Sequence, residues 1–254
     1  MAITVLPWTI FVFKRTPEDK GLQPLGYNPN APIVSDNAEL KLGISPKAAL
    51  KSVMFILMFL IIVGFSVGTG FRSNMVAMAT EFLEGTIHAP NAAMIGAYML
   101  SIGGAADIIG KVTMGWGVDR FGIRKTMIVF AGFQICAYTI WALFHQIAGL
   151  YIGAFLFGMH SAIIRVGIPL MIRGLFGPAN FTKIYGYFTS AKGLSSGLAG
   201  TIVALFFDIG GSYQGSIIWG LCLAIMATIL TLVCMRYLDR WKKMLTHQQE
   251  EAAV

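Results

Sequence analysis

Six long apolar runs, separated by short polar segments, dominate the pattern of this chain. Each run is long enough to cross a hydrocarbon core about 30 Å thick as an α-helix. The predicted spans are residues 49–72, 91–118, 125–145, 148–172, 184–208 and 215–237. The pattern therefore predicts an all-α membrane domain of six transmembrane helices, occupying residues 49–238.

The flanking segments have a different character. Residues 1–13 are apolar but too short to cross a membrane, so we interpret them as the remnant of a preceding transmembrane helix. Residues 14–48 are rich in Pro, Gly and Asn, which predicts a cytoplasmic linker. Residues 239–254 are predicted to form a solvated cytoplasmic tail.

The distribution of charge predicts the orientation. Hydrophobic residues make up 56% of the 254-residue chain and charged residues 12%, which excludes an ordinary soluble domain. The net charge of +7 does not indicate nucleic acid, because the basic residues lie between apolar runs. Apart from the three cations deep inside the spans (Lys111, Arg165 and Lys192), fifteen of the sixteen Lys and Arg residues fall on one side; the exception is Arg72, assigned to a predicted outer loop with Glu81 and Glu84. The positive-inside rule then predicts a multi-pass protein of the plasma (cytoplasmic) membrane with both termini cytoplasmic.

No pattern of catalytic chemistry stands out. The three cysteines lie inside apolar runs without CxxC spacing, and the sequence shows no His/Cys/Glu metal set, no nucleophile with a base and no phosphate loop. We therefore expect a protein that is not an enzyme and that has no cofactor, metal or catalytic residue.

Charged residues inside the spans carry the functional signal. Lys111, Arg165 and Lys192 stand in three different spans, and Asp107 lies one turn before Lys111. A charge in the membrane core costs at least about 2.5 kcal/mol, so it persists where it faces a cavity or a partner. Each cation lies roughly 12 Å from the cytoplasmic end of its helix, near the midplane. Three cations and one carboxylate at one depth predict a pocket for an anion, with a net charge that suits a dicarboxylate.

Each cation has alternative roles. Lys192 is predicted to bind a substrate carboxylate, with Thr189 on the same helix face; the alternative is a structural pair with Asp107. Arg165, with Ser161 one turn before it, either faces the substrate or extends toward the cytoplasmic interface. Glycines after Lys192 would let a neighbouring helix come close.

Asp107 and Lys111 are four residues apart and are able to pair within one helix. One interpretation is a static, mutually neutralised pair. The other is a proton-coupling switch, in which an anion takes the lysine and the freed carboxylate binds a proton. His160, alone on an apolar helix, is interpreted as a packing residue.

A loop between the second and third spans resembles a known signature. Its glycines permit a tight turn, and its charges are able to pair between helices and hold one gating state. The matching residues are Gly115, Asp119, Arg120, Gly122, Arg124 and Lys125. This pattern resembles the cytoplasmic-loop signature of the major facilitator superfamily. The resemblance implies one half of a twelve-helix fold, here the C-terminal half.

Two further segments resemble subfamilies of that superfamily. Residues 106–111, which include Asp107 and Lys111, resemble a helix of the oxalate/formate antiporter and monocarboxylate transporter families. Residues 184–194 resemble the oxalate/formate group, in which the lysine corresponding to Lys192 contacts the substrate carboxylate. The resemblance implies a secondary transporter half for small organic anions such as mono- or dicarboxylates, working by alternating access with antiport or proton symport.

The expected partners follow from this reading. They are the organic anion, membrane lipid, and either the missing N-terminal six-helix half or a second copy of the chain. The alternative function is a truncated, non-transporting fragment, or a half-subunit that needs a separate N-terminal half.

Overall fold

The computed structural model describes residues 44–252, with side chains described as far as Leu238. The predicted helix remnant, residues 1–13, and nearly all of the predicted linker lie outside the described residues. Within residues 44–252 all regular structure is helical. The α-helices are α1 (Pro46–Leu50), α2 (Val53–Ser66), α3 (Gly68–Phe82), α4 (Ala92–Phe121), α5 (Ile123–Leu143), α6 (Ile147–His160), α7 (Ile168–Phe176), α8 (Phe181–Gly210) and α9 (Gln214–Ala252).

Six of the helical segments are long and apolar enough to cross a membrane, which confirms the predicted number of spans. Spans 1 to 6 are Val53–Phe82, Ala89–Phe121, Ile123–Leu143, Ile147–Phe176, Phe181–Gly210 and Gln214–Leu238. Span 1 combines α2 and α3, and span 4 combines α6 and α7 with a π-helical turn between them. The helix α9 continues through the predicted tail to Ala252.

The end of span 1 corrects the sequence prediction. The apolar run stops at Arg72, but the helix continues to Phe82. The polar residues of α3 find partners in two ways: the Ser73 and Thr80 hydroxyls donate to carbonyls of their own helix, and the Asn74 amide donates to the carbonyl of Gly200 on span 5, at 3.1 Å. Arg72 therefore lies inside span 1 and not in an outer loop. With this correction, the short connections at the end that is predicted to face outward carry no Lys or Arg at all.

Span 1 occupies a central place in the packing. It contacts spans 2, 5 and 6, while span 4 packs between spans 2 and 3, and span 3 also contacts span 6. At the end that is predicted to face outward, the backbone N–H of Tyr213 donates to Glu81 Oε2 at 2.8 Å, which ties the end of span 1 to the connection between spans 5 and 6. Burial, with the nearby carboxylates of Glu81 and Asp208, raises the pKa of the Tyr213 phenol, so this group stays protonated.

Two hydrophobic clusters fill the interior. One includes Phe65 and Ala131, and the other includes Phe71 and Trp141. On three of the spans, a buried polar side chain lies near the boundary between the two clusters, and together these side chains form a polar layer. These side chains are Ser66 in span 1, Gln134 in span 3 and His160 in span 4. This polar layer marks the level of the candidate site.

Candidate functional site

Glycines bring spans 2 and 4 into close contact. A Cβ atom added to Gly158 would lie 2.7 Å from the Cβ of Ala106 and would also overlap the carbonyl oxygen of Gly103. A Cβ added to Gly110 would lie 2.7 Å from the carbonyl oxygen of Met159. Larger side chains at either glycine would push the two helices apart. The contact places Asp107, between Gly103 and Gly110, directly against the chain around Ser161.

A local change of helix geometry positions Arg165. Residues Ile163–Gly167 form a π-helical turn, in which the N–H of Ile168 donates to the carbonyl of Ile163. Pro169 follows at once and has no N–H, so the Arg165 carbonyl loses its normal helical donor. Single π turns inside α-helices are frequent at functional sites. The turn presents Arg165 on the same side of span 4 as Ser161.

Asp107 is the centre of a small charged cluster. Lys111 Nζ lies 2.9 Å from Asp107 Oδ2, and the Ser161 hydroxyl donates to Asp107 Oδ1. The Nε of Arg165 lies farther away, 3.9 Å from Oδ1. The Asp107 side chain is 11% exposed, whereas that of Arg165 is 56% exposed. Asp107 thus holds Lys111 tightly and Arg165 loosely, and the alternative pair with Lys192 is not formed.

An open cavity lies beside this cluster, with about 460 Å³ of space that includes its open mouth. Spans 1, 4 and 5 contribute its walls. The lining residues are Phe65, Gly68, Thr69, Arg72, Phe157, His160, Ser161, Ile164, Arg165 and Lys192. Three of these are cations and none is a carboxylate, so the lining of this cavity favours a negatively charged ligand.

The predicted site residues do not all reach this cavity. Lys192, Arg165 and Ser161 line it. Thr189 lines an adjoining small pocket that also contains Lys192, and its hydroxyl donates to the carbonyl of Tyr185 at 2.9 Å. Lys111 does not line the cavity, because its ammonium group is bound to Asp107.

Sequence reasoning missed Arg72. Arg72 is the last residue of the first predicted span and is assigned to the outer loop that follows, yet the helix continues beyond it and its side chain lines the cavity. The guanidinium lies near Gly104 of α4, since a Cβ added there would be 3.5 Å from the Arg72 Nη2 atom. Residues 71–82 are less apolar than the preceding run but contain no Gly or Pro. The absence of helix breakers is the signal that could have predicted a helix continuing past Arg72.

His160 also has a place that its sequence context did not predict. It is 2% exposed and lines the cavity, and its ring lies close to the backbone of Phe65 and Phe130 without a hydrogen bond of good geometry to either. Its ring lies 5.4 Å from that of Phe65. Gln134 is fully buried, with its side chain close to the Tyr138 hydroxyl. Polar atoms this deeply buried normally have a protein or water partner, and the cavity gives water access to His160.

The signature loop forms a tight turn between spans 2 and 3. Gly122 has a φ of +82°, a backbone conformation that favours glycine, and it joins α4 to α5. The guanidinium of Arg120 lies 5.9 Å from the centroid of the Trp116 ring. The helices approach at Gly117, beside Thr126, and not at Gly115, around which the described structure leaves open space. The gating role of the loop charges, including Asp119, Arg124 and Lys125, stays a prediction.

Comparison with known families identifies the fold. A sequence model of the Major Facilitator Superfamily matches residues 1–200 and 60–251. The chain belongs to the Major Facilitator Superfamily. It is therefore a multi-pass membrane protein of a transporter family, which agrees with the expectation that it is not an enzyme. A comparison with curated proteins finds no matching sequence.

Solved structures support the same fold. An auto-inhibited peptide transporter of the POT family is 18% identical with a TM-score of 0.63, and the match covers 73% of this chain and 37% of that one. The E. coli fucose:proton symporter FucP is 16% identical with a TM-score of 0.60, and the match covers 80% of this chain and 46% of that one. The major facilitator chain described here thus spans less than half the length of these two transporters. At these identities the matches support the fold, and the resemblance to anion transporters stays a prediction.

Proposed function

We propose that this chain is part of a secondary transporter for small organic anions, such as mono- or dicarboxylates, that works by alternating access. The observation that carries the proposal is the cavity lining, in which Arg72, Arg165 and Lys192 face a common space without a carboxylate among them. Cations at the level of the membrane core require compensation, and a bound carboxylate supplies it. Arginine and lysine are also the side chains that form charge-assisted hydrogen bonds with carboxylates.

The charged cluster suggests how transport is coupled to protons. Lys111 is tightly bound to Asp107, whereas Arg165 is exposed to the cavity and more distant from Asp107. A substrate carboxylate would therefore compete for Arg165 before it competes for Lys111. Loss of one positive neighbour makes a carboxylate bind a proton more readily. In this scheme the substrate and a proton occupy the protein together, which would give proton symport; exchange of two anions is the alternative cycle.

The partner of the chain is part of the same proposal. The cavity is open, and a second six-helix bundle would close it on the side of span 5. We propose that this bundle is a matching N-terminal half, with a second copy of the chain as the alternative. The two halves of such transporters are related by an axis along the membrane normal, so either arrangement keeps both bundles in the same orientation.

The test is uptake of radiolabelled oxalate, formate, lactate and pyruvate into proteoliposomes, with the chain alone and with a matching N-terminal half. We expect Lys192→Ala to lower uptake by at least about tenfold, since a charge-assisted contact is lost. Lys183→Ala is the matched control, because Lys183 is an exposed cation at the start of the same helix, away from the cavity. Equal uptake by Lys192→Ala and the wild-type chain would contradict the proposed site.

A further inference from the structure

Arg72 is a cation in the middle of a span without a counter-ion within the described residues. It lies ten residues before Phe82, the end of α3, which corresponds to about 15 Å along the helix. When the 30 residues of span 1 are centred on a hydrocarbon core about 30 Å thick, Arg72 lies about 7 Å from the midplane, within the core. Arginine at such a depth marks a functional position more often than a structural one.

The helix that carries Arg72 is fixed in place by span 5. A Cβ added to Gly70 would overlap the backbone carbonyl of Ala199, and the Asn74 amide donates to the carbonyl of Gly200 at 3.1 Å. Gly70 and Asn74 are one turn apart and share the face that contacts span 5. Arg72, halfway between them in sequence, points to a different face, toward α4 and the cavity. The guanidinium is therefore presented by a rigid support.

Arg72 and Lys192 approach the cavity from different depths. The contacts of α3 place Arg72 at the level of Ala199 and Gly200, seven to eight residues beyond Lys192 on α8. At 1.5 Å per residue, the two backbones are about 11 Å apart along the membrane normal. Both side chains nevertheless line one cavity. Because the two cations enter a single space from two depths, each is able to meet one end of a dianion that lies between them.

Charge balance points the same way. Asp107 is engaged by Lys111, Ser161 and, at a longer distance, Arg165. It offers no compensation to Arg72 or Lys192, because neither cation lies within ion-pair distance of a carboxylate in residues 44–238. A monocarboxylate would neutralise only one of them. An anion with two negative charges would neutralise both.

We propose that Arg72 is an anion-binding residue separate from Lys192 and Arg165, and that it gives the cavity a preference for dicarboxylates over monocarboxylates. This inference rests on the proposed function and adds a residue and a selectivity to it. Arg72 contacts one carboxylate through its planar fork, and Lys192 contacts the other as a point charge. Thr69, which lines the same cavity on the preceding turn, provides a hydroxyl near the Arg72 side.

The experiment compares oxalate with formate as ligands for the full chain in nanodiscs, alone and with a matching N-terminal half, by ligand-induced thermal stabilisation. For Arg72→Gln we expect oxalate affinity to fall about 10- to 100-fold and formate affinity to change by less than about threefold. Arg72→Lys keeps the charge and loses the fork, so we expect an intermediate oxalate affinity. Arg173→Gln is the matched control, because Arg173 is an exposed arginine in the last turn of α7.

The outcomes separate the two proposals. An unchanged ratio of oxalate to formate affinity in Arg72→Gln, with clear binding by the wild-type chain, would overturn the role of Arg72 and leave the anion transporter standing. A wild-type chain that binds neither ligand in either arrangement would overturn both. If Arg72→Gln fails to fold, the ratio measured on Arg72→Lys decides, since that variant retains the positive charge in the span.

Discussion

At the scale of single residues, the site is an excess of positive charge held at the level of a polar layer. Asp107 has three partners on two spans, and these contacts fix the side chain in one position. The loosest partner, Arg165, is the one that faces the cavity. This difference in distance and exposure is the physical basis for assigning proton coupling to Asp107.

The Asp107→Asn variant tests that assignment. The amide cannot take up a proton, so we expect the dependence of uptake on pH between about 5 and 8 to be lost or strongly reduced. The measurement is the initial rate of labelled carboxylate uptake at several pH values. The control is Asp208→Asn, because Asp208 is exposed near the outer end of α8. A pH profile that is identical in Asp107→Asn and in the wild-type chain would contradict the proposed role of Asp107 in proton coupling.

At the scale of helices, small residues decide which spans touch. The pair Gly158 and Gly103 brings span 4 against span 2, and Gly70 with Ala199 brings span 1 against span 5. In lipid the apolar faces gain little from leaving their surroundings, so close backbone approach provides much of the association energy. The π-helical turn then adjusts span 4 so that Ser161 and Arg165 both reach Asp107.

We expect Gly158→Ala to destabilise the bundle by about 1–3 kcal/mol, because the added methyl overlaps Gly103 and Ala106 in a tightly packed contact. Gly193→Ala is the matched control: both positions are helical, and a Cβ at Gly193 meets nothing within 4 Å. Alanine improves helix propensity equally at the two sites, so the difference in stability between the two variants measures the steric cost of the methyl group at residue 158. Thermal unfolding of the detergent-solubilised chain measures it. Equal midpoints for the two variants would show that the contact between spans 2 and 4 is not tight.

At the scale of the whole molecule, one face of span 5 has no neighbour within residues 44–252. Cβ atoms added to Gly186, Gly193 and Gly197 meet open space, whereas farther along α8 the helix contacts α3 at Ala199 and Gly200. The predicted close approach of a helix after Lys192 is thus found at Ala199 and Gly200 and not at Gly193 or Gly197. The open face borders the cavity through Lys192 and is the side that a second six-helix bundle would cover.

Crosslinking distinguishes the two candidate partners. We expect Gly193→Cys, in a background in which Cys136, Cys222 and Cys234 are replaced, to crosslink to a cysteine-bearing N-terminal half that is produced with it. We expect no crosslinked dimer when the chain is produced alone, because two copies would bring two sets of cations together and their charges would repel. Each set consists of Arg72, Lys111, Arg165 and Lys192. A strong homodimer band from the chain alone would favour the second copy instead.

The sequence by itself determined the six spans, the side on which the cations gather, the turn at Gly122 and three of the cations inside the membrane region. Those features are local, since they depend on hydropathy, charge and glycine spacing along one segment. Tertiary structure alone decided that Arg72 lies within span 1, that Lys111 does not line the cavity, and that His160 does. Each of these depends on contacts between segments that are distant in the chain. A helix continues past the end of an apolar run when neighbouring helices satisfy its polar side chains. The hydropathy of one segment does not show which helices will pack against it.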